Sequence, residues 1–229
     1  MSLPRTHFWR NIKMQRLPYF ALQMIAAIAL SAMMRVTAAA QNKRDSTAGQ
    51  FSLGMRTTVS SFTDAGSAGL GAGGQFWIRV SKHLNTIWYA DYINTNIQNM
   101  GYRKDGHIGW SVVFYMDKKP LMTHKLTPYI VAGQCFDYTL LYSDYLNASA
   151  QRWSAAAPQA GAGITFKINR DFDISLLVQY MLHLGTHIES KIITDDYGNR
   201  YLDISHEPGA SLDGHLLCTF SVNYMIGKL

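Results

Sequence analysis

A glycine-rich run, Gly69-Leu70-Gly71-Ala72-Gly73-Gly74, matches the G-x-G-x-x-G pattern that binds the pyrophosphate of dinucleotides. That chemistry requires the run to lie between a strand and the N-terminus of a helix, within a βαβ unit. Residues 75–80 continue instead as an alternating strand, and no βαβ pattern occurs in the sequence. We therefore predict no cofactor site. Gly71 and Gly73 are interpreted as positions that leave room inside a narrow barrel or allow a sharp bend.

His183 is the residue whose sequence neighbours best suit catalysis. A serine and two carboxylates lie near it, at Ser175, Asp173 and Glu189. A histidine beside a serine can activate the hydroxyl as a nucleophile. Strand alternation, however, puts His183 on the polar face of its segment, away from an apolar substrate. We predict a buried histidine in a hydrogen-bond network, no catalytic residue and no enzymatic activity.

Acidic and sulfur-bearing side chains could ligate a metal, but their spacing fits no common site. Four acids lie in one polar segment without the spacing of a calcium loop: Asp195, Asp196, Asp203 and Glu207. Cys135 and Cys218 are the only cysteines, and no CxxC motif or close histidine pair accompanies them. The sequence does not indicate a disulfide between them. We predict an ordinary acidic surface and no metal site.

Charge is distributed unevenly along the 229 residues. The formal net charge is +6, which would suggest a polyanionic partner if it were spread through the fold. Five of the 21 basic residues and none of the 15 acidic residues lie within residues 1–40, so the rest is nearly neutral. We therefore predict no binding to nucleic acid. With 48% hydrophobic and 16% charged residues, one compact domain fits better than a disordered chain.

Residues 1–40 have the three-part organisation of a secretory signal peptide. A basic stretch precedes an apolar one, and Ala38 and Ala40 occupy the small-residue positions of a cleavage site. The apolar stretch is interrupted by Gln23 and Ser31 and is shorter than the roughly 20 residues of a transmembrane helix. We predict cleavage after Ala40, export of the mature chain, and a short periplasmic segment at residues 41–50.

Alternation with period two runs through the rest of the chain, which predicts strands with one apolar and one polar face. The segments are 51–60, 70–80, 85–94, 108–116, 126–138, 156–168, 172–184 and 216–226. The register of the third and fifth stays open, because Asp91 or Asp137 falls on a face that would otherwise be apolar. The side chains predicted to lie inside are Arg56, Gln75, Arg79, Ser111, Gln159, Lys167, Asp173, Gln179 and His183.

The length of these strands indicates a membrane. They contain about 10 to 14 residues, close to the 9 to 11 that cross a bilayer when tilted. A sheet in lipid must close, because unpaired backbone groups there are too costly. Short links alternate with longer polar segments, predicted as extracellular loops, at residues 95–106, 139–153 and 185–208. Interface aromatic side chains are predicted at Trp77, Trp88, Tyr92, Trp110, Tyr129, Tyr180 and Tyr224.

Residues 51–229 resemble the small eight-stranded outer-membrane β-barrels of Gram-negative bacteria, of the OmpA transmembrane-domain and opacity type. The resemblance rests on this architecture, on glycine-rich strands such as residues 159–164, and on a final segment, 214–224, similar to the last strand of such barrels. It implies an all-β fold, an eight-stranded antiparallel transmembrane barrel with up-and-down topology, located in the outer membrane. The chain departs from the family by ending in Ile226-Gly227-Lys228-Leu229, without a terminal aromatic residue.

Three functions fit this fold. The first is a monomeric outer-membrane protein without enzymatic activity, with a filled lumen and a structural, adhesive or interaction role. Its partners would be outer-membrane lipids and lipopolysaccharide, the barrel-assembly machinery, and a ligand at the predicted loops. The second is a lipid-modifying enzyme, although the lipid A deacylases carry a serine two residues after their histidine and this chain has Gly185. The third is a secreted lipocalin-like barrel, with its apolar faces inside.

Overall fold

The structure is a computed structural model that describes residues 48–62, 67–116 and 126–228. The predicted signal peptide, residues 1–40, and most of the predicted periplasmic segment, residues 41–50, lie outside these ranges and stay predictions. No helix in the described ranges is long and apolar enough to cross a membrane.

The described residues form eight antiparallel strands that close into a barrel. Each strand pairs with the next along the chain, and β8 pairs with β1, so the predicted fold class and topology are confirmed. The strands are β1 (Gln50–Phe62), β2 (Ala68–Arg79), β3 (Leu84–Asn96), β4 (Gly101–Tyr115), β5 (Leu126–Ser143), β6 (Ala148–Lys167), β7 (Phe172–Thr194) and β8 (Arg200–Lys228).

The two faces of each strand are those that alternation predicted. On β7, Leu176 and Val178 are 43% and 42% exposed on the outer face, whereas the adjacent Leu177 and Gln179 are buried inside. Asp91 and Asp137, which left two registers open, both lie inside, where each has a cationic partner. Their burial settles the registers of β3 and β5.

The three predicted extracellular loops are wrong as loops. Most of residues 95–106, 139–153 and 185–208 continue the flanking strands, and tight turns occupy only residues 97–100, 144–147 and 195–199. β7 and β8 contain 23 and 29 residues, well beyond the roughly 9 to 11 that a tilted strand needs to cross hydrocarbon. We call the end of the barrel that carries these three turns the distal end. The opposite end, where β1 begins and β8 finishes, is the proximal end.

Sequence reasoning ended these strands too early for two physical reasons. Beyond the apolar band the inner face becomes apolar, with Leu141, Ile188 and Leu202 buried inside, so the pattern of apolar outside and polar inside no longer holds although the backbone stays extended. Register shifts also interrupt the regular pairing. One extra residue of β6 lies between Ser154 and Ala157, opposite Cys135 and Asp137 of β5, and two extra residues of β8 lie between Glu207 and Ala210, opposite Thr186 and His187 of β7. A one-residue bulge moves the following side chains to the opposite face.

The glycine run lies within β2, as a strand and not a phosphate-binding turn. At Gly71 an added Cβ would lie 2.5 Å from Ile93 Cγ1 and 2.6 Å from the Tyr92 carbonyl oxygen. At Gly73 it would collide with Asp91 and with the Ala90 carbonyl. The interpretation of both residues as space for a narrow interior is therefore confirmed.

Candidate functional site in the barrel interior

The interior is arranged in layers, whose order can be read from the inward side chains of β5. From the proximal to the distal end these are Tyr129 and Val131, then Cys135, then Asp137 and Thr139, and finally Leu141. Tyr129, Cys135 and Leu141 belong to three separate apolar clusters. The polar pair Asp137 and Thr139 lies between the second and the third.

The proximal cluster is aromatic. Tyr129 makes edge-to-face contacts with Trp77 and Tyr115, at ring-centroid distances of 6.1 and 5.7 Å. The predicted interface positions of Trp77 and Tyr129 are thus wrong, because both face inward. The cluster comprises Trp77, Ile87, Tyr89, Val113, Tyr115, Tyr129, Val131 and Leu177.

A network of charged and amide groups lies next to this cluster. Arg56 Nε is 3.0 Å from Asp91 Oδ1, and the guanidinium lies 4.2 Å from the centre of the Tyr89 ring. Gln75 Nε2 donates to Asn223 Oδ1 at 2.6 Å, and Asn223 Nδ2 donates to Asp173 Oδ1 at 2.7 Å. All the side chains predicted to lie inside are on the inner face.

A second polar layer, which we call the histidine layer, contains Asp105, His107, Asp137, His183 and His215. His107 Nε2 is 3.1 Å from Asp137 Oδ1, and His183 Nδ1 is 2.8 Å from Asp137 Oδ2. The His215 ring lies with its centroid 4.7 Å from that of His183 and 5.5 Å from that of His107. All five side chains are buried.

Two arginines and a threonine hold the carboxylates of the histidine layer. Arg152 Nη2 lies 3.2 Å from Asp137 Oδ2. Arg103 Nε lies 3.0 and 3.1 Å from the two oxygens of Asp105, and Thr139 Oγ1 donates to Asp105 Oδ1 at 2.7 Å. The carboxylates are thereby fixed and their charge is compensated, as burial of a charge requires.

The residues considered for hydrolysis do not come together. Ser175 Oγ is 2.6 Å from Tyr129 Oη, and Asp173 accepts from Asn223, both in the proximal half. His183 contacts Asp137 and His215 instead. The backbone of Glu189 pairs with Ser205, and its side chain lies outside the described part of the chain. Ser175 and Asp173, which lie near His183 in the sequence, therefore do not form a catalytic group with it in the structure.

The cysteines and the acidic residues that the sequence offers as metal ligands lie in different parts of the barrel. Cys135 faces inward and is buried, whereas Cys218 on β8 is half-buried on the outer face, and both are free thiols. Asp195 lies in the exposed turn between β7 and β8. Asp203 lies opposite Lys191 in the β7–β8 pair. Asp195 and Asp203 are therefore separated along this hairpin.

The outer face carries a broad band of exposed apolar side chains. Trp88, Tyr92, Tyr180 and Tyr224 are each about half exposed on it, as predicted, and Trp110 is also on this face. Apolar residues around the whole outside of a closed sheet are stable only against lipid. An apolar exterior around an interior filled by layers of polar and apolar side chains defines an integral β-barrel of the outer-membrane type.

Solved structures of this class are similar to the chain. Neisserial surface protein A has 12% identity and a TM-score of 0.46, over 76% of this chain and 95% of that chain. Ail, the attachment invasion locus protein of Yersinia pestis, has 13% identity and a TM-score of 0.41, over 77% and 97%. OprG from Pseudomonas aeruginosa has 14% identity and a TM-score of 0.41, over 78% and 94%. No family model matches the sequence, and no curated protein matches it.

Proposed function

We propose that the chain is an integral outer-membrane protein without enzymatic activity, which conducts no solute and whose distal hairpins contact partners outside the cell. The observation that carries this proposal is the filled interior. Apolar clusters lie proximal to the histidine layer and distal to it. Eight strands enclose a space that side chains fill, so a water-filled conduit is not expected.

The distal cluster also closes that end of the interior. It contains Ile97, Leu141, Ala150, Ile188 and Leu202, each at most 5% exposed. Across the same region Ser143 Oγ donates to the Leu202 carbonyl oxygen at 2.6 Å, which joins β5 to β8. Solute passage would require this packing to open.

The lipocalin-like alternative places apolar residues around an internal cavity. The interior instead holds Arg56, Asp91, Arg152 and Asp137 in ion pairs. Exposed apolar residues lie on the outside. This distribution supports a membrane protein and opposes a soluble carrier.

The distal hairpins contact one another, which supports a preformed binding surface. Tyr145 and Tyr201 stack at a ring-centroid distance of 5.0 Å, which joins the β5–β6 turn to β8. Arg200 Nη2 donates to Gln98 Oε1 at 3.3 Å, which joins the β7–β8 and β3–β4 turns. Tyr197, 91% exposed at the tip, is available to a partner. Tyrosine supplies large contact area at low entropic cost.

The proposed orientation puts the proximal end in the periplasm. In this orientation the start of β1 and the end of β8 both lie in the periplasm, where β8 would meet the assembly machinery. The apolar band would contact outer-membrane lipids and lipopolysaccharide. A single closed barrel leaves no sheet edge to pair with a second copy, which favours a monomer.

Cleavage of engineered protease sites on intact cells tests location and orientation together. One variant carries the site in the distal turn at residues 195–199, and the matched control carries it in the proximal turn at residues 168–171. We expect external protease to cut only the distal site, and both sites after lysis. Cleavage of the proximal site alone in intact cells would contradict the orientation, and release of the protein in soluble fractions would contradict the location.

Recordings from planar lipid bilayers test the closed interior. We expect the refolded protein to give no stable conductance above that of protein-free bilayers. A porin of known conductance, refolded and recorded under the same conditions, serves as the control for the sensitivity of the recording. Discrete, reproducible channels from the unaltered protein would contradict the proposal.

A further inference from the structure

We propose that the histidine layer is a binding site for a divalent transition-metal ion, held by Asp105, His107 and Asp137, with His183 and His215 beside it. Nothing in the proposed membrane role requires such a site. One ligand atom from each of the first three residues lies within 4.8 Å of the others. The three residues are at most 2% exposed.

Asp137 lies within ion-pair distance of two histidine rings. His107 Nε2 and Asp137 Oδ1 are 3.1 Å apart, yet neither atom has a hydrogen-bond partner among the described residues. His183 Nδ1 is 2.8 Å from Asp137 Oδ2. Nitrogen and oxygen ligands about 2.0 Å from a tetrahedral zinc ion are separated by about 3.3 Å. The 3.1 Å between His107 Nε2 and Asp137 Oδ1 therefore suits two ligands of one ion, and Asp105, whose ligand atom lies within 4.8 Å of the other two, would move closer when the ion binds.

The imidazole of His107 provides an independent observation. Its side chain is fully enclosed. Nε2 lies 3.1 Å from Asp137 Oδ1, and Nδ1 has no hydrogen-bond partner in the described part of the chain. Buried polar atoms in proteins are nearly always paired, so one without a partner requires an explanation. A metal ion bound to Nε2 would use the lone pair that is aimed at the carboxylates.

The surroundings of the carboxylates are those of metal ligands. Arg103 and Thr139 fix the orientation of Asp105, and Arg152 that of Asp137. Hydrogen bonds that orient ligating side chains are a general feature of metal sites. Each carboxylate oxygen has further acceptor capacity, and Asp137 Oδ1 accepts no hydrogen bond from the described residues.

The ligand chemistry selects the class of ion. One imidazole and two carboxylates suit zinc or manganese, whereas calcium prefers six to eight oxygen ligands. Apolar residues of the two neighbouring clusters, including Met181 on one side and Leu141 on the other, separate the layer from both ends. We therefore expect the ion to be captured during folding and to exchange slowly afterwards.

Refolding in detergent with zinc, followed by a chelator wash and elemental analysis, tests the site. We expect one retained zinc ion per barrel in the full mature chain, and a loss of at least about 10-fold in His107→Gln and in Asp105→Asn. Asp173→Asn, which alters an inward carboxylate of the proximal network, is the matched control and should retain zinc fully. Heat-modifiable gel mobility reports whether each variant has folded.

Two results would overturn the site. One is a wild-type barrel that retains no zinc after the wash, and the other is full retention by folded His107→Gln. Refolding of the wild type with cobalt gives a readout that does not depend on the variants. Intense visible absorption would support nitrogen and oxygen ligation in a closed site, whereas the weak spectrum of hydrated cobalt would oppose it.

Discussion

Arg56 on β1 and Asp91 on β3 form an enclosed ion pair across Gly73 of the intervening strand. The strand registers align Arg56 with Gly73 and Gly73 with Asp91. Both charged side chains are 1% exposed, and their closest atoms are 3.0 Å apart. The glycine leaves the space through which two non-adjacent strands are joined.

Arg56→Met should lower the free energy of unfolding by about 3 to 5 kcal/mol, because it leaves the Asp91 carboxylate buried without its cation. Urea titration of the refolded barrel in lipid vesicles, followed by tryptophan fluorescence, measures this change. The double variant Arg56→Met with Asp91→Leu should recover most of the loss. Losses that simply add would show that the two residues are not coupled.

Gly73→Ala and Gly74→Ala form a matched pair in one strand. An alanine methyl at residue 73 would collide with Asp91, whereas at residue 74 the nearest atom would be 3.8 Å away on the outer face. We expect Gly73→Ala to cost about 1 to 3 kcal/mol through overpacking and Gly74→Ala to change stability by less than about 0.5 kcal/mol. Urea midpoints of the two variants, compared under identical conditions, distinguish them. Equal midpoints would contradict the inward position of residue 73.

Leu176→Arg and Ile193→Arg compare two outward positions of β7 that differ in depth. Leu176 lies in the apolar band, and Ile193 lies in the distal extension near the turn. We expect a cost of about 2 to 4 kcal/mol for Leu176→Arg and about 0 to 1 kcal/mol for Ile193→Arg. The folded fraction in lipid vesicles, read from gel mobility, gives both values. A large cost at residue 193 would place the distal extension within the hydrocarbon.

The distal turn should respond to pH through Asp195. Hydrogen bonds from the side chain and backbone N–H of Asn199 lower the pKa of the Asp195 carboxyl below its ordinary value. A lowered pKa stabilises the turn above the ordinary aspartate range, and this contribution is lost as the pH falls through the folded-state value. Carbon NMR titration should show that Asn199→Ala raises the pKa of Asp195. An unchanged pKa would mean that the side-chain hydrogen bond from Asn199 to Asp195 is not formed.

Much of this fold can be predicted from local patterns. The alternation from Phe172 to Leu184 assigns one side of β7 to lipid, and the structure confirms that assignment. The inward positions of Arg56 and Gln179 follow from the same rule. The rule fails where the inner face becomes apolar, as at Leu141 and Ile188, and alternation there predicts loops in place of the distal parts of three hairpins.

The histidine layer could not be found in this way. Asp105 lay in a predicted loop, and His107 preceded the predicted start of its strand. Alternation could have extended β4 backward and placed both residues inside, but it could not have shown that they meet Asp137 of β5 and His183 of β7.

Which face of a strand meets lipid depends on side chains two residues apart, so the sequence determines it locally. Which inward residues share a layer depends on the stagger of all eight strands around the closed sheet, including the register shifts between β5 and β6 and between β7 and β8. That stagger is set by hydrogen bonds between segments far apart in the chain. Only the tertiary structure therefore places three histidines and two aspartates together.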